Sequence, residues 1–220
     1  MGEHPKYYPI MADVTDALCV VVGGGPIGWR KIAGLLDCGA RVVVVSPDGV
    51  PALEAASADG RVVWHRRPFR AGDLAGAQLA FSATNSDAAN ALVREEARRE
   101  GVWLNAAYGA DEGDFVVPSV VRRGRLVMAV TTGGASPKLA RRIAGELESA
   151  YGPEYAAYVE VLDRLRKFVL ESDAEAERKL ICLGRLLEFD GLARLAAGEP
   201  AEAVEADCAR RLQHILEAPA

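Results

Sequence analysis

A short apolar segment that runs directly into three glycines constrains the fold of this chain more than any other feature. Residues 17–22 are apolar and end in three valines, which is typical of a strand buried on both faces of a sheet. The chain continues as Gly23-Gly24-Gly25-Pro26, and Pro26 suits the first turn of a helix. Apolar residues then recur at helical spacing as far as Gly39, and a second apolar strand follows over 42–45. The chain therefore begins with a strand–helix–strand unit.

The alternation of strands and helices continues to residue 106 and predicts a parallel sheet. We predict a helix over 51–58, strands over 61–65 and 78–82, a helix over 87–100 and a strand over 102–106. Strands separated by helices are typical of a doubly wound sheet with helices on both faces. The predicted fold class is therefore α/β, with an N-terminal Rossmann domain.

The character of the sequence changes after residue 114, and this change predicts three segments. We expect the Rossmann domain to occupy residues 1–114. Over residues 115–150 we expect a small α+β segment, in which strands at 115–121 and 126–131 precede one helix. Leucine and valine then recur at helical spacing, so residues 151–220 are predicted to form a C-terminal helical domain.

Composition disfavours several classes of function. The 26 basic and 31 acidic side chains give a formal net charge of -5, so we expect no nucleic-acid partner. No apolar run is long enough to span a bilayer and the first residues lack the apolar core of a signal peptide, so we expect a cytoplasmic protein without a membrane partner. The four cysteines form no C-x-x-C pair and the three histidines have no ligand-spaced partner, so we expect buried thiols and no bound metal.

The spacing Gly23-x-Gly25-x-x-Gly28 at a strand–helix junction predicts a dinucleotide-binding site. The first glycine permits the tight turn, the second lets the backbone approach a pyrophosphate, and the third lets helix and strand pack closely. A glycine-rich turn without a ligand is the alternative. The cofactor-binding residues predicted from these two strand ends are Gly23, Gly24, Gly25, Pro26, Ile27, Gly28, Ser46, Pro47 and Asp48.

The end of the second strand favours NAD over NADP. No arginine follows Ser46 directly to hold a 2′-phosphate, whereas Asp48 is placed to reach the ribose. A turn or helix-capping role for Asp48 is an equal alternative.

A second glycine-rich segment, residues 131–136, runs into a predicted helix with a basic first turn. Ser136 suits a helix N-cap and Pro137 the first helical position, so ordinary capping explains both without a ligand. Free amides beside cations also suit an anion, and the arginines of residues 122–125 are close in sequence. We therefore predict a polycarboxylate site; its residues are Gly134, Ser136, Lys138 and Arg141.

Over nearly its whole length the chain resembles the precorrin-2 dehydrogenase module of siroheme synthases, some members of which are also sirohydrochlorin ferrochelatases. The motifs that carry the resemblance are Tyr8-Pro9-Ile10, residues 22–31 and 39–47, Ala83-Thr84-Asn85 with Asn90, Asn105, Asp114-Phe115, Pro118-Ser119, Arg123-Gly124, residues 133–137 and Leu139-Ala140-Arg141.

The resemblance implies NAD-dependent oxidation of precorrin-2, a tetrapyrrole, to sirohydrochlorin in siroheme synthesis. It adds Ala83, Thr84 and Asn85 to the cofactor-binding residues. It also implies a homodimer in which residues 115–150 exchange contacts between subunits. The family's trailing methyltransferase domain has no room in 220 residues, so we expect the stand-alone form.

One position departs from the family's pattern. The family has a proton-handling aspartate shortly after the fifth strand, and counting from Asn105 to Asp114 places Tyr108 at that position. A phenol, with an ordinary pKa of about 10, supplies no carboxylate at neutral pH. Tyr108 and Asp111 are therefore the catalytic candidates, with packing and a solvated loop acid as their respective alternatives. The ferrochelatase activity of some members stays open.

Two other functions compete with the dehydrogenase. A non-catalytic NAD-sensing module that acts on a partner protein would bind the cofactor without turnover, and the tyrosine at position 108 favours it. A different small-molecule dehydrogenase is disfavoured, because no catalytic His, Lys or Tyr-x-x-x-Lys arrangement is evident around the predicted sheet.

Overall fold

The computed structural model describes residues 7–107 and 113–217. The chain divides into two compact units, Met1–Val117 and Pro118–Ala220, and each is described by itself. Tyr108 and Asp111, the two catalytic candidates, lie outside the described residues. The division of the chain into 1–114, 115–150 and 151–220 stays a prediction.

The described part of the first unit is built around a five-stranded parallel sheet. In chain order its elements are β1 (Leu18–Gly24), α1 (Pro26–Asp37), β2 (Arg41–Gly49), α2 (Pro51–Ala58), β3 (Val62–His65), β4 (Leu79–Ser82), α3 (Asp87–Glu100) and β5 (Trp103–Ala106). The strand order is β3-β2-β1-β4-β5, and every neighbouring pair is parallel. The predicted α/β Rossmann class is confirmed.

Helices cover both faces of this sheet. Successive residues of a strand point to opposite faces, and in β1 both faces are buried. Val21 shares one hydrophobic core with Ile32 of α1, whereas its neighbour Val20 shares the other with Val93 of α3. This two-sided burial explains why the central strands are continuous runs of valine rather than alternating sequences.

The second strand is longer than predicted. We expected it to end at residues 46–48, but β2 continues to Gly49. A register shift between Val22 and Gly24 lets Gly24 pair with Gly49, so the backbone stays in the sheet beyond Pro47. The end of β2 is thereby brought beside the glycine loop.

The strand predicted from residue 115 begins later, at Ser119. Phe115 instead packs on the first unit, where its ring meets Phe81 edge-on with the ring centroids 5.5 Å apart. The Asn105 side chain donates from Nδ2 to the Phe115 carbonyl oxygen at 2.9 Å. These contacts hold Phe115 against the sheet, so the first strand of the hairpin begins only at Ser119.

The second unit combines a hairpin with helices. Its described elements are β6 (Ser119–Arg123), β7 (Leu126–Val130), α4 (Pro137–Ala150), α5 (Glu154–Glu171), α6 (Ala176–Arg185), a 3₁₀ turn (Leu186–Glu188), α7 (Gly191–Ala196) and α8 (Ala201–Glu217). The strands β6 and β7 are antiparallel, as predicted, and α4 packs against both. Residues of α5, α6 and α8 form a separate core that contains Val169, Cys182 and Leu212. None of the described helices is long and apolar enough to cross a membrane.

Candidate functional site

A cleft of about 750 Å³ opens at the carboxyl ends of β1, β2 and β4. Its lining comes from residues 22–27, 45–50 and 83–86. The chain passes from β1 to the helix on one face of the sheet and from the neighbouring β4 to the helix on the other, so this edge is the switch point where ligands bind in open α/β sheets. Every predicted cofactor-binding residue except Gly28 lines the cleft.

Three glycines of the loop are required by close approach of one backbone segment to another. A Cβ atom would lie 2.4 Å from the Ala83 oxygen if added to Gly23, and 2.3 Å from the Asp48 oxygen if added to Gly24. One on Gly28 would lie 2.0 Å from the Gly23 oxygen. Gly23 also has φ of +116°, in the region that favours glycine. Gly28 therefore supports the loop from beneath and does not line the cleft.

Gly25 differs from the other glycines of the motif because a Cβ atom there would meet nothing within 4 Å. It is the N-cap of α1, and no described side chain caps this helix. By contrast, Ser86 caps α3 and Ser136 caps α4 through their hydroxyl groups. The amides at the start of α1 are thus left for a ligand, and they suit an anion such as a pyrophosphate.

Ser46 joins the glycine loop to the end of β2. Its hydroxyl accepts from the Gly24 N–H at 3.0 Å and donates to the Asp48 carbonyl oxygen at 2.7 Å. The Trp64 indole N–H donates to the Ser46 carbonyl oxygen at 2.9 Å, from the β3 side. Ser46 is 8% exposed, whereas Asp48 is exposed and is the one charged side chain among the described residues that line the cleft.

The loop after β4 forms the third wall and is held from below by Asn90. The Asn90 side chain accepts from the Ser82 hydroxyl at 2.6 Å and donates to the Thr84 carbonyl oxygen at 3.1 Å. The Thr84 hydroxyl in turn accepts from the Ser86 N–H at 3.0 Å. The three segments of the cleft are therefore fixed by their own hydrogen bonds.

The sequence analysis missed some of the lining. The missed residues are Val22, Val45, Gly49, Val50 and Ser86. Ser86 could have been found, because it directly precedes the helix predicted over 87–100 and suits its N-cap. Gly49 was missed because the strand was predicted to end at residues 46–48. The contribution of Trp64 depends on strand pairing and has no local signal.

Tyr108 and Asp111 lie outside the described residues, but the residues that flank this segment are described. Leu104 and Asp114 are hydrogen-bonded to each other. The Asp114 carboxylate accepts from the Leu104 N–H at 2.8 Å, and the Asp114 N–H donates to the Leu104 oxygen at 2.7 Å. The side-chain oxygen of Asn105, on the adjacent position of β5, is buried and has no hydrogen-bond partner among the described residues.

In the second unit, the predicted substrate residues lie at the start of α4. Gly134 has φ of +89° in the turn before the helix. Ser136 caps the helix by accepting from the Leu139 N–H at 3.2 Å, so the capping interpretation is confirmed for its hydroxyl. Lys138 and Arg141 are exposed and lie one helical turn apart.

The arginines of the hairpin turn are not at this end of α4. Arg123 donates to the carbonyl oxygens of Tyr151 at 2.9 Å and Glu148 at 3.0 Å, and so caps the opposite end of the helix. Arg125 pairs with Asp163 of α5 at 3.0 Å. A 14-residue helix is about 20 Å long. The grouping of these arginines with the anion site, which was based on proximity in sequence, is therefore wrong. Arg123 and Arg125 add no charge to the segment around Ser136.

The described residues contain no cluster that could hold a metal ion, and three of the four cysteine thiols are buried. Across 7–107 and 113–217, no three His, Cys, Asp or Glu side chains come together in a way that could hold a metal ion. Among the described residues none of the four cysteines forms a disulfide, and Cys19, Cys182 and Cys208 are buried as predicted, whereas Cys38 is half-buried. Burial raises the pKa of the Cys19 thiol to about 11, which keeps it protonated.

Comparison with known families places the first unit. Residues 10–119, half of the chain, match the family described as "Putative NAD(P)-binding". The chain belongs to this NAD(P)-binding family. Residues 123–150 match a second family, described as "Sirohaem biosynthesis protein central". The NAD(P)-binding match contains all three segments of the cleft, and the second match contains β7 and α4.

Several proteins similar to this NAD(P)-binding chain are siroheme synthases. The siroheme synthase of Methylococcus capsulatus is 33% identical over 210 residues, 93% of this chain and 44% of that protein. The siroheme synthase of Nitrosospira multiformis is 37% identical over 170 residues, 73% of this chain and 36% of that protein. The chain thus spans less than half the length of these relatives.

A solved structure matches along both chains. The structure of "SirC, precorrin-2 dehydrogenase" superposes with a TM-score of 0.78 and 28% sequence identity, covering 94% of this chain and 99% of that one. The resemblance stated from the motifs is confirmed.

Proposed function

We propose that this chain is an NAD-dependent dehydrogenase that oxidises precorrin-2 to sirohydrochlorin in siroheme biosynthesis. One observation carries the proposal: the cleft presents the uncapped start of α1 and the open side of Gly25, in a chain similar to a precorrin-2 dehydrogenase over 99% of that protein. A nicotinamide cofactor is the oxidant that such a cleft suits.

The residues of the cleft fit NAD. The pyrophosphate lies against Gly25 and the free amides of α1, where no side chain obstructs it. Asp48 accepts a hydrogen bond from a ribose hydroxyl at the end of β2. None of the described residues that line the cleft is a lysine or arginine, so nothing there neutralises the 2′-phosphate of NADP.

The reaction removes two hydrogens from precorrin-2, one as a hydride and one as a proton. NAD accepts the hydride when bound, and NADH, sirohydrochlorin and a proton are the products. The protein holds the reactants in place, and the hydrogen bonds of Ser46 and Asn90 keep the walls of the cleft rigid. For the proton we propose Tyr108 and Asp111, on sequence grounds. Iron insertion is left out of the proposal, since position 108 holds no carboxylate.

For the substrate we propose the start of α4. Precorrin-2 carries many carboxylates, and Lys138 and Arg141 offer two exposed cations beside the amide of Gly134. The Ser136 hydroxyl already caps the helix and the Ser136 N–H donates to the Thr132 hydroxyl at 2.9 Å, so the share of Ser136 in binding is to hold the turn in place. The match of residues 123–150 to the central siroheme family supports a role for this segment in the same chemistry.

We further propose a cytoplasmic homodimer that uses residues 115–150. The hairpin β6–β7 is a two-stranded sheet among the described residues, so the outer edges of both strands are available to another chain. Val121 is buried on one face of β6, whereas Val120 is 47% exposed on the other. The lack of a disulfide among the described cysteines fits a reducing compartment.

The test is an anaerobic assay with precorrin-2 and NAD, followed by the absorbance of sirohydrochlorin and NADH. Stoichiometric formation of both products is expected. Tight NAD binding without turnover would instead favour the sensing module. Gly25→Val serves as the control that separates enzyme-bound oxidation from spontaneous oxidation of the substrate.

A further inference from the structure

Ser46 lies at the cleft, yet the hydrogen of its hydroxyl is already donated within the protein. Its hydrogen goes to the Asp48 carbonyl oxygen at 2.7 Å, and its oxygen accepts from the Gly24 N–H at 3.0 Å. The side chain is also buried, with the residue 8% exposed. A cofactor therefore finds no free donor on Ser46.

Asp48, the acidic residue of this cleft, lies beyond the position that is usual for the ribose-binding acid. In dinucleotide sites of this kind the acid that bonds the ribose stands at the end of the second strand. Here the apolar part of β2 ends at Val45, and Asp48 comes three residues later, beyond Pro47. A contact must therefore hold this part of the backbone so that Asp48 still lines the cleft.

The hydrogen bonds of Ser46 make that contact. The Ser46 hydroxyl donates to the Asp48 carbonyl oxygen two residues along β2, across Pro47. Gly49, the next residue, pairs with Gly24 and is walled by the Trp64 ring, since a Cβ atom on Gly49 would lie 2.7 Å from that ring. The backbone of Asp48 is thus fixed on both sides. Its carboxylate remains exposed and has no described hydrogen-bond or ion-pair partner of its own.

We propose that Ser46 is a positioning residue that sets the preference of the site for a ribose 2′-hydroxyl over a 2′-phosphate by holding Asp48 at the cleft. Ser46 does not touch the cofactor. The proposal rests on the proposed NAD site and extends it, because it assigns cofactor choice to a pair of residues of which only Asp48 meets the ligand.

The test compares Ser46→Ala, Asp48→Asn and the double variant by fluorescence titration with NADH and NADPH. In Ser46→Ala we expect NADH affinity to fall about tenfold, because the buried Gly24 N–H loses its acceptor and Asp48 loses its anchor. NADPH affinity falls less, since a displaced Asp48 repels the 2′-phosphate less, so the NADH/NADPH affinity ratio shrinks. In the Asp48→Asn background the ratio barely changes further, which is the coupling expected of one unit.

A second readout needs no cofactor. The amide proton of Gly24 should exchange with solvent faster in Ser46→Ala than in the parent protein, as followed by NMR. Ser149→Ala is the matched control: it removes an exposed hydroxyl that donates to the Gly145 oxygen at 3.0 Å in α4, and it should change neither affinity nor Gly24 exchange. Ser46→Cys keeps the side-chain volume and replaces Ser46→Ala if that variant does not fold.

The outcomes separate the two proposals. An equal loss of NADH and NADPH affinity in Ser46→Ala, with the ratio kept, overturns the role in cofactor choice while the NAD site stands. Additive effects of the two substitutions on the ratio overturn it as well. A parent protein that binds neither dinucleotide overturns the proposed function and this inference together.

Discussion

Gly28 lies directly against Gly23, since a Cβ atom on Gly28 would be 2.0 Å from the Gly23 carbonyl oxygen. Gly25, between them in sequence, faces open space. Residues of one motif therefore serve two purposes: Gly28 lets helix and strand pack, and Gly25 leaves room for a ligand. The two can be separated by mutation.

Gly25→Val should abolish measurable NAD binding and leave the protein folded, because the new side chain fills the ligand space and meets no protein atom. Gly28→Ala should lower the free energy of unfolding by about 3 kcal/mol, because its methyl group forces backbone apart. Calorimetric titration with NAD and thermal melting measure the two effects. A folded Gly25→Val protein with parental affinity would remove the basis of the cofactor site.

Arg141→Glu should raise the Michaelis constant for precorrin-2 about tenfold or more, because it places a negative charge where substrate carboxylates are proposed to bind. NAD affinity, set in the first unit, should not change. Added salt should reproduce part of the defect in the parent protein, since exposed charges are screened over about 10 Å.

The matched control for Arg141→Glu is Arg166→Glu, which makes the same charge reversal on an exposed position of α5. If both variants raise the Michaelis constant equally, overall charge explains the effect. If neither does, Lys138 and Arg141 are only a solvated face of α4.

Val120→Asp should convert the proposed homodimer to a monomer without unfolding it. Val120 is 47% exposed on β6, so the substitution adds a charge to the free face of the hairpin and leaves the buried Val121 in place. Sedimentation velocity at tens of micromolar protein reports the change. A parent protein that is already monomeric there would contradict an interface of the size usual for stable dimers.

Asp73→Asn should destabilise the first unit at pH 7 by about 2 kcal/mol. The Asp73 carboxylate accepts from both terminal nitrogens of Arg67, at 2.6 and 2.7 Å, and from the Arg70 N–H at 2.8 Å. The hydrogen bonds from Arg67, followed in weight by the Arg70 amide, hold the pKa of Asp73 below its ordinary value of 3.8.

The sign of the pH effect follows from that lowered pKa. When the pH falls below 3.8, the ordinary pKa, Asp73 of the unfolded chain binds a proton while Asp73 of the folded chain stays ionised. The stabilisation is therefore fully present above pH 3.8 and is lost as the pH falls through the lowered pKa of the folded protein. Urea unfolding should show the difference between parent and Asp73→Asn shrinking towards pH 3. A difference that stays unchanged down to pH 3 would contradict this assignment.

Much of the first unit could be predicted because its signals are local. The helices predicted over 51–58 and 87–100 match α2 at Pro51–Ala58 and α3 at Asp87–Glu100, and the structure shows a proline in the first turn of α2 and a serine N-cap on α3. Runs of valine marked strands that are buried on both faces. The glycine motif could be assigned to a ligand site because its position between strand and helix is itself a sequence property.

The remainder depends on residues far apart in sequence. The role of Ser46 follows from Gly24 and Trp64, which are 22 and 18 positions away. Arg123 was grouped with ligand-binding cations, but the hairpin brings it to the far end of α4, 25 positions along the chain. Such contacts are set by strand register and helix length together, and no local pattern records them.

The uncapped start of α1 ties the lifetime of the folded protein to its cofactor. No described side chain caps these amides, and a ligand that binds only the folded state stabilises it by about 2.7 kcal/mol at a hundred times its dissociation constant. Without NAD, a larger fraction of the protein is unfolded, and proteases degrade the unfolded chain. Its abundance would then follow the nicotinamide supply of the cell, with no regulator involved.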